Sequence, residues 1–306
     1  MKTLDPAAAY RESIMAEICY ALGVSRRGLV RRMLTPLLRR PIRRLAAIAA
    51  KADAEIDSSG LSGAARRILS DLSLRPTARG AEGIPASGPL LMVSNHPGGF
   101  DSVAILSCIP RRDIKVVLSD APLTRAFVYA RRYFIFAALN AAGGAKALRD
   151  CIDHLKTGGA ILIFANGDVE PDPESNREAG LPFRDWSRSV GIMLREAPEA
   201  WLQAAVISGV LLPKFVRHPL VRIRKNEVRR QKLAEVLQIL RQLISPRAVR
   251  LNPHLSFNKP VKARDLDQNA LMPAVIGMAR RLLEEHLDWI RSTSASMENA
   301  AGRPEP

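Results

Sequence analysis

The sequence predicts an α/β fold: a mixed, mostly parallel sheet flanked by helices, with a basic helical segment in front of it. Three observations predict it. Five short apolar runs, at residues 90–94, 114–118, 133–137, 160–165 and 204–208, each have the length of a buried strand and are separated by stretches of helical pattern. Residues 1–75 read as helical, with apolar residues recurring mostly at three- and four-residue steps. The chain has 306 residues and is 47% hydrophobic, enough for a large core and too apolar for a low-complexity chain. Strands alternating with helices place function on the loops at strand ends.

The elements follow in order. Residues 12–22 read as a first helix that stops near Gly23. Leu29, Val30, Met33, Leu34, Leu37, Leu38, Ile42, Leu45 and Ile48 form a second apolar series, which Pro36 and Pro41 are expected to break into short helices. Arginine pairs fall between those apolar positions. The pattern suits a helix that sinks an apolar face into a membrane interface and offers cations to headgroups, and it also suits a surface helix with solvated arginines. Residues 76–89 carry Pro76, Gly80, Gly83, Pro85, Gly88 and Pro89, the composition of a loop. In the α/β part, residues 146–156 form the clearest helix, with Leu148, Cys151, Ile152 and Leu155 on one face and Gly158-Gly159 as its stop. Residues 226–244 read as a long basic amphipathic helix, 254–261 as a last strand and 272–290 as a terminal helix. This divides the chain into a basic, membrane-proximal helical segment (1–75), an α/β domain (76–291) and a disordered tail (292–306).

The net charge of +16 is not spread evenly. Residues 21–50 carry eight arginines and no acid, and residues 214–250 carry eleven cations and two acids. What remains is 27 basic against 28 acidic residues, close to neutral. Each basic segment calls for an anionic partner or a solvated face. Nucleic acid is disfavoured, because residues 214–230 offer only Phe215 as a stacking platform. An anionic lipid surface or an acidic carrier protein uses the same charge. Three scattered cysteines with no C-x-x-C pair argue against a disulfide scaffold or thiolate metal site, and fit a reducing compartment. No apolar run approaches the ~20 residues of a membrane span, and the first ten residues lack a signal-peptide core. The expected location is cytoplasmic, peripheral at the inner face of the membrane.

The stretch richest in chemistry is Ser94-Asn95-His96-Pro97-Gly98-Gly99-Phe100-Asp101-Ser102. An apolar strand ends in Asn-His, a Pro-Gly-Gly turn follows, and an aspartate opens a helix. A tight turn brings His96 and Asp101 within hydrogen-bond reach, and an imidazole held by a carboxylate is a poised general base. The alternative is a strand-to-helix turn in which Asp101 caps the helix and His96 merely packs. The other four histidines have no partner at metal-ligand spacing, and no metal site is expected. The run Asp168, Glu170, Asp172, Glu174 is interrupted by Pro171 and Pro173. It lacks the glycine of a calcium loop and reads as a solvated loop.

Asn95-His96-x4-Asp101-Ser102 resembles the N-H-x4-D-S block of the glycerolipid and lysophospholipid acyltransferases. Some 60–70 residues on, that family carries a strand ending in F-P-E-G-T-R, where this chain has Phe164-Ala165-Asn166-Gly167-Asp168-Val169. Ala205–Val210 looks like the family's fourth block and Ser256–Val261 like its late F-G-K-P-I element. The resemblance covers roughly residues 85–265. It implies an O-acyltransferase of phospholipid metabolism that moves a fatty acyl group from acyl-CoA or acyl-carrier protein to a hydroxyl of a lysolipid. No further cofactor is implied. His96 would be the general base and Asp101 its orienting partner, with Asn95, Gly98, Gly99, Phe164, Asn166, Gly167, Asp168 and Lys214 around the acceptor. Backbone N–H groups of the Pro97–Gly99 or Asn166–Gly167 turn would face the oxyanion.

The departures bear on the acceptor. The family's glutamate is Asn166 here, its arginine is Val169, and the strand over 133–138 ends without the usual arginine. Those residues suit a glycerol-phosphate headgroup. Either another cation serves, with Lys214, Arg217 and Arg131 as candidates, or the acceptor is not a simple glycerol phosphate. Two readings from other classes stay open: a non-catalytic basic module for nucleic acid or an anionic lipid surface, and a hydrolase that uses the same pair with water.

Overall fold

The computed structural model describes residues 6–138, 140–175, 183, 185–245, 249 and 251–301. Helix α1 (Pro6–Leu22) and the long α2 (Leu29–Asp71) precede an eight-stranded sheet in the order β1-β7-β6-β2-β5-β3-β4, with β8 paired to β6. The strands are β1 (Thr77–Arg79), β2 (Leu90–Ser94), β3 (Ile114–Ser119), β4 (Phe134–Ala137), β5 (Ala160–Phe164), β6 (Trp201–Ser208), β7 (His254–Phe257) and β8 (Val261–Lys262). Pairings among β6, β2, β5, β3 and β4 are parallel, whereas β7 and β8 run antiparallel to β6. The sheet is therefore mixed and mostly parallel, with its central strands β2 and β5 wholly buried.

Alternation along those strands feeds two cores. Leu91, Val93, Ile161 and Ile163 face α5 (Ala141–Lys156), α6 (Ser189–Glu196) and α10 (Leu271–Ala301), packing with Leu155, Val190, Met193 and Leu282. Leu90, Met92 and Leu162 face the other way, onto Ile56 and Leu61 of α2 and Ile105 of α3 (Asp101–Cys108). The second half of α2 thus belongs to the core of the sheet, and the boundary at 75/76 is not a boundary of packing. Helix α9 (Glu227–Ile244) follows the short α7 (Pro213–Val216) and α8 (Pro219–Arg222), and packs on α7, α8, α1 and α2. One further short helix, α4 (Pro122–Ala126), lies against α1.

Four expectations change. Pro36 and Pro41 do not break α2, which runs through both. The carbonyls they free belong to Arg32 and Leu37, both on the exposed side, so water can satisfy them. Pro41 and Ile42 are buried, and Ile42 packs with Ile14, Met15 and Ile18 of α1, which holds the helix together across the missing bonds. The real interruption is Gly60 (φ 66°, ψ −178°), a conformation open only to glycine. The loop at 76–89 contains β1, paired in parallel with β7. The last strand at 254–261 is two strands, because Asn258 turns the chain and accepts the Ala204 N–H at 2.6 Å. The terminal helix continues to Ala301, past position 292 where a disordered tail was expected; residues 302–306 lie outside the described residues.

Candidate active site

The carboxyl ends of β2, β5 and β3 meet at one edge of the sheet, the place where open parallel sheets bind ligands. Asn95 and His96 leave β2 there. The Asn95 amide pairs with both main-chain groups of Ile207 in β6: Nδ2 donates to its carbonyl at 2.8 Å, and Oδ1 accepts its N–H at 2.9 Å. Asn95 is 1% exposed, so its place is to fix the strand end rather than to touch an acceptor. That corrects the substrate-binding expectation for this residue.

His96 and Asp101 come together as the sequence predicts. His96 Nδ1 lies 2.6 Å from Asp101 Oδ2, and Asp101 is completely buried. The same carboxyl group accepts the Gly98 N–H at 3.1 Å and the Ser102 N–H at 2.5 Å. The turn thus folds around the carboxyl group. With Nδ1 facing Asp101, Nε2 carries the lone pair that can take a proton. The imidazole stacks on Phe164 at the end of β5, with ring centroids 4.5 Å apart. Burial pulls the His96 pKa down, but Asp101, by charge and hydrogen bond, together with Glu235 and Glu170, more than compensates, and the net shift is upward.

The turn glycines act by proximity. Neither Gly98 nor Gly99 has a positive φ. A Cβ on Gly99, however, would lie 2.5 Å from Glu235 Oε1, because α9 crosses directly over the turn. The Gly99 N–H donates to that same carboxylate oxygen, and the Gly98 N–H is taken by Asp101. The Pro97–Gly99 turn therefore holds its N–H groups for structure, which corrects its expected place in an oxyanion site. The Gly167 N–H is likewise engaged, by Phe164 O at 3.1 Å.

His96 stands at the mouth of a cavity of about 520 Å³ between the sheet and α5 and α6. Its walls are mostly apolar, with Val117, Leu118, Ala147, Leu148, Cys151 and Met193, and Ser102, Ser119, Ser187 and Ser189 add hydroxyls to the lining. Burial pushes the Cys151 thiol up to about 12, so this cysteine is wall and not nucleophile.

The remaining expected site residues divide. Asn166 and Asp168 form the turn after β5: Asn166 Nδ2 donates to Asp168 O at 3.5 Å, and Asp168 pairs with Lys232 of α9 at 3.5 Å. Lys214 does not line the cavity. It is exposed on α7 with its ammonium over the Phe215 ring. Lys232, which sequence spacing did not single out, is instead a cation paired with the turn after β5. Past the exposed Asp168, the acidic run is not solvated either. Glu170 and Asp172 are 5% and 2% exposed. Asp172 accepts the N–H groups of Gly209, Val210 and Leu211, tying down the turn after β6. Glu174 accepts from Ser208 at 2.5 Å and lies 2.8 Å from His254 Nδ1, while His286 sits between Ser208 and Ser256. Among the described residues no group of three His, Cys, Asp or Glu side chains is placed to hold a metal ion.

The sequence reading missed Glu170, Gln231, Lys232 and Glu235. For Gln231 and Glu235 a signal existed: Gln231, Glu235, Gln238 and Gln242 recur at helical spacing along a face that is otherwise apolar, which is unusual unless each has a buried partner.

Comparison with known proteins gives three findings. The family model described as Acyltransferase matches residues 75–211. Among solved structures, the crystal structure of the 1-acyl-sn-glycerophosphate (LPA) acyltransferase PlsC from Thermotoga maritima is similar, with 14% identity, 89% of this chain and 94% of that chain covered, and a TM-score of 0.47. No curated protein matches.

Proposed function

From the acyltransferase-family segment formed by residues 75–211, we propose that this enzyme transfers a fatty acyl group from a thioester donor, acyl-CoA or acyl-carrier protein, to a hydroxyl of a lysolipid. The observation that carries this reading is the His96–Asp101 pair, 2.6 Å apart, at the mouth of a deep apolar cavity of about 520 Å³. His96 Nε2 takes the proton of the acceptor hydroxyl. The oxygen attacks the thioester carbonyl, the tetrahedral species collapses, and the C–S bond breaks. The proton on His96 then passes to the departing thiolate. Asp101 holds the ring and stabilises the imidazolium formed in between. The acyl chain occupies the cavity, whose walls offer no buried charge. No covalent enzyme intermediate is required.

The acceptor is read from the departures. With Asn166 and Val169 in place of a glutamate and an arginine, and with Asp168 paired to Lys232, the turn after β5 is not a phosphate clamp. A hydroxylated acyl lipid without a terminal phosphate fits it better.

Docking at the cytoplasmic face of an anionic membrane accounts for the first half of α2. There Leu29, Met33 and Leu37 are 70%, 64% and 74% exposed at four-residue spacing, flanked by Arg32, Arg40 and Arg44. Among the described residues, no helix is long and apolar enough to cross a membrane. The test is a lipid extract offered as acceptor to the protein with labelled acyl-CoA and acyl-carrier protein in parallel. Thiol release that depends on lipid, with label moving into lipid, supports transfer. Thiol release without lipid makes the protein a hydrolase, and no release in either arm leaves the non-catalytic binding module.

A further inference from the structure

Glu170 lies 74 residues from His96 in sequence, and two of its hydrogen bonds converge on that one residue. Glu170 Oε2 accepts the His96 main-chain N–H at 3.0 Å. The Glu170 N–H in turn donates to the His96 carbonyl at 2.8 Å. Both main-chain polar groups of His96 therefore end on Glu170. The other carboxylate oxygen, Oε1, accepts Trp186 Nε1–H at 3.3 Å. Gln231 of α9 closes the arrangement from outside: its Nε2 donates to Pro97 O at 2.7 Å and to Glu170 O at 2.5 Å.

A carboxylate is a poor choice if the space needs only filling. Burying it is unfavourable unless donors meet it, and an apolar or amide side chain would pack there more readily. What a carboxylate of this length supplies is a strong acceptor that reaches the His96 N–H across the gap between two loops. Asp101 fixes how the imidazole is turned. It does not fix where the main chain of His96 sits, because Asp101 rides on the same turn. Asn95 anchors the residue before His96 to β6, and Glu170 anchors His96 itself.

We propose that Glu170 is a positioning residue for His96: its carboxylate and its N–H clamp the His96 main chain and hold the imidazole at the cavity mouth, with Gln231 backing the clamp. This rests on the reading of His96 as the general base. Glu170 touches no reacting atom. Its effect belongs in kcat, because a base displaced by about 1 Å costs on the order of 100-fold in rate while donor binding in the cavity is untouched.

The test compares wild type with Glu170→Gln, Glu170→Asp, Glu170→Ala and Trp186→Phe, measuring kcat, KM for the acyl donor and the thermal midpoint of each. Glutamine keeps the reach and an acceptor oxygen but loses the charge, whereas aspartate keeps the charge but is one methylene too short. The clamp predicts that Gln retains kcat to within about tenfold, that Asp and Ala lose about 100-fold, and that KM stays within about twofold throughout. Trp186→Phe leaves the bond to His96 in place and loses about threefold or less. If Ala fails to fold, the order of Gln over Asp still decides. Asp outperforming Gln would show that charge and not reach matters, and would overturn the proposal. So would an unchanged kcat in folded Glu170→Ala, or equal losses in all four variants that track the thermal midpoint. A wild type with no acyl transfer overturns the acyltransferase reading and this proposal with it; an active wild type indifferent to Glu170 overturns this proposal alone.

Discussion

His96 is surrounded by carboxylates at unequal removes, and that sets its titration. Asp101 bonds its ring, Glu170 holds its main chain, and Glu235 reaches over the turn from α9. Together they favour the protonated imidazole and lift its pKa above the ordinary 6.5 despite burial. A general base must be neutral to act, so with His96 in that role activity should fall as pH drops through this raised pKa, and the acid limb of the kcat/KM profile should lie above 6.5. Glu235→Gln removes one of the charges that raise it, so the acid limb should move to lower pH, measured as kcat/KM between pH 5 and 9. Asp101→Asn keeps the size of the side chain but removes the charge that stabilises the imidazolium. It should lower kcat by about 10²–10⁴ and move the limb the same way. An acid limb unmoved by either change would mean that another group titrates.

Elements show where sequence is readable and where it is not. The His96–Asp101 pair was legible because only five residues separate its members and one turn joins them. The alternation of short apolar runs with helices was legible for the same reason, since period and length are local properties. The clamp on His96 was not. Glu170 stands 74 residues from His96 and Gln231 stands 134 from Pro97, and nothing in an acidic run with two prolines says that folding will bury it. Lys214 drew notice as a cation just after β6, yet the fold turns it to solvent on α7 and brings Lys232 to the site. Helix α2 was misread for another reason: the local penalty of Pro36 and Pro41 is real, but packing on α1 outweighs it. Stability should therefore depend on Gly60 more than on the prolines. Gly60→Ala forces a side chain into a glycine-only conformation and should cost about 1–3 kcal/mol in urea unfolding. Pro36→Ala restores a helical N–H on an exposed face and should cost nothing or stabilise slightly. The reverse order would put the interruption of α2 at the prolines after all.

At the scale of the whole molecule, the two basic segments that hold the excess charge are neighbours. Arg224 donates to Leu22 O, Arg44 Nη1 donates to Leu243 O at 3.0 Å, and α9 packs on both α1 and α2. The inner, polar stripe of α9 meanwhile bonds the Pro97–Gly99 turn through Gln231 and Glu235, and the turn after β6 through Gln238. One helix thus joins a cationic outer surface to the loops that hold His96. If that surface docks on lipid, Leu37→Glu should weaken binding to vesicles containing anionic phospholipid by about tenfold, read by co-sedimentation, since it removes an apolar side chain from the interface and adds a like charge to the membrane's own. Raising the salt should weaken wild-type binding as well. Equal binding of both proteins would place the lipid surface elsewhere on the molecule.

The central claim is that His96 is the base of an acyl transfer. It is tested most directly by His96→Ala, assayed with labelled acyl donor and the lipid acceptor that wild type uses, with the thermal midpoint measured on the same sample. The account predicts a folded protein whose transfer of label into lipid is lost by about 10²–10⁴ or more. A folded His96→Ala that acylates lipid at the wild-type rate would contradict it.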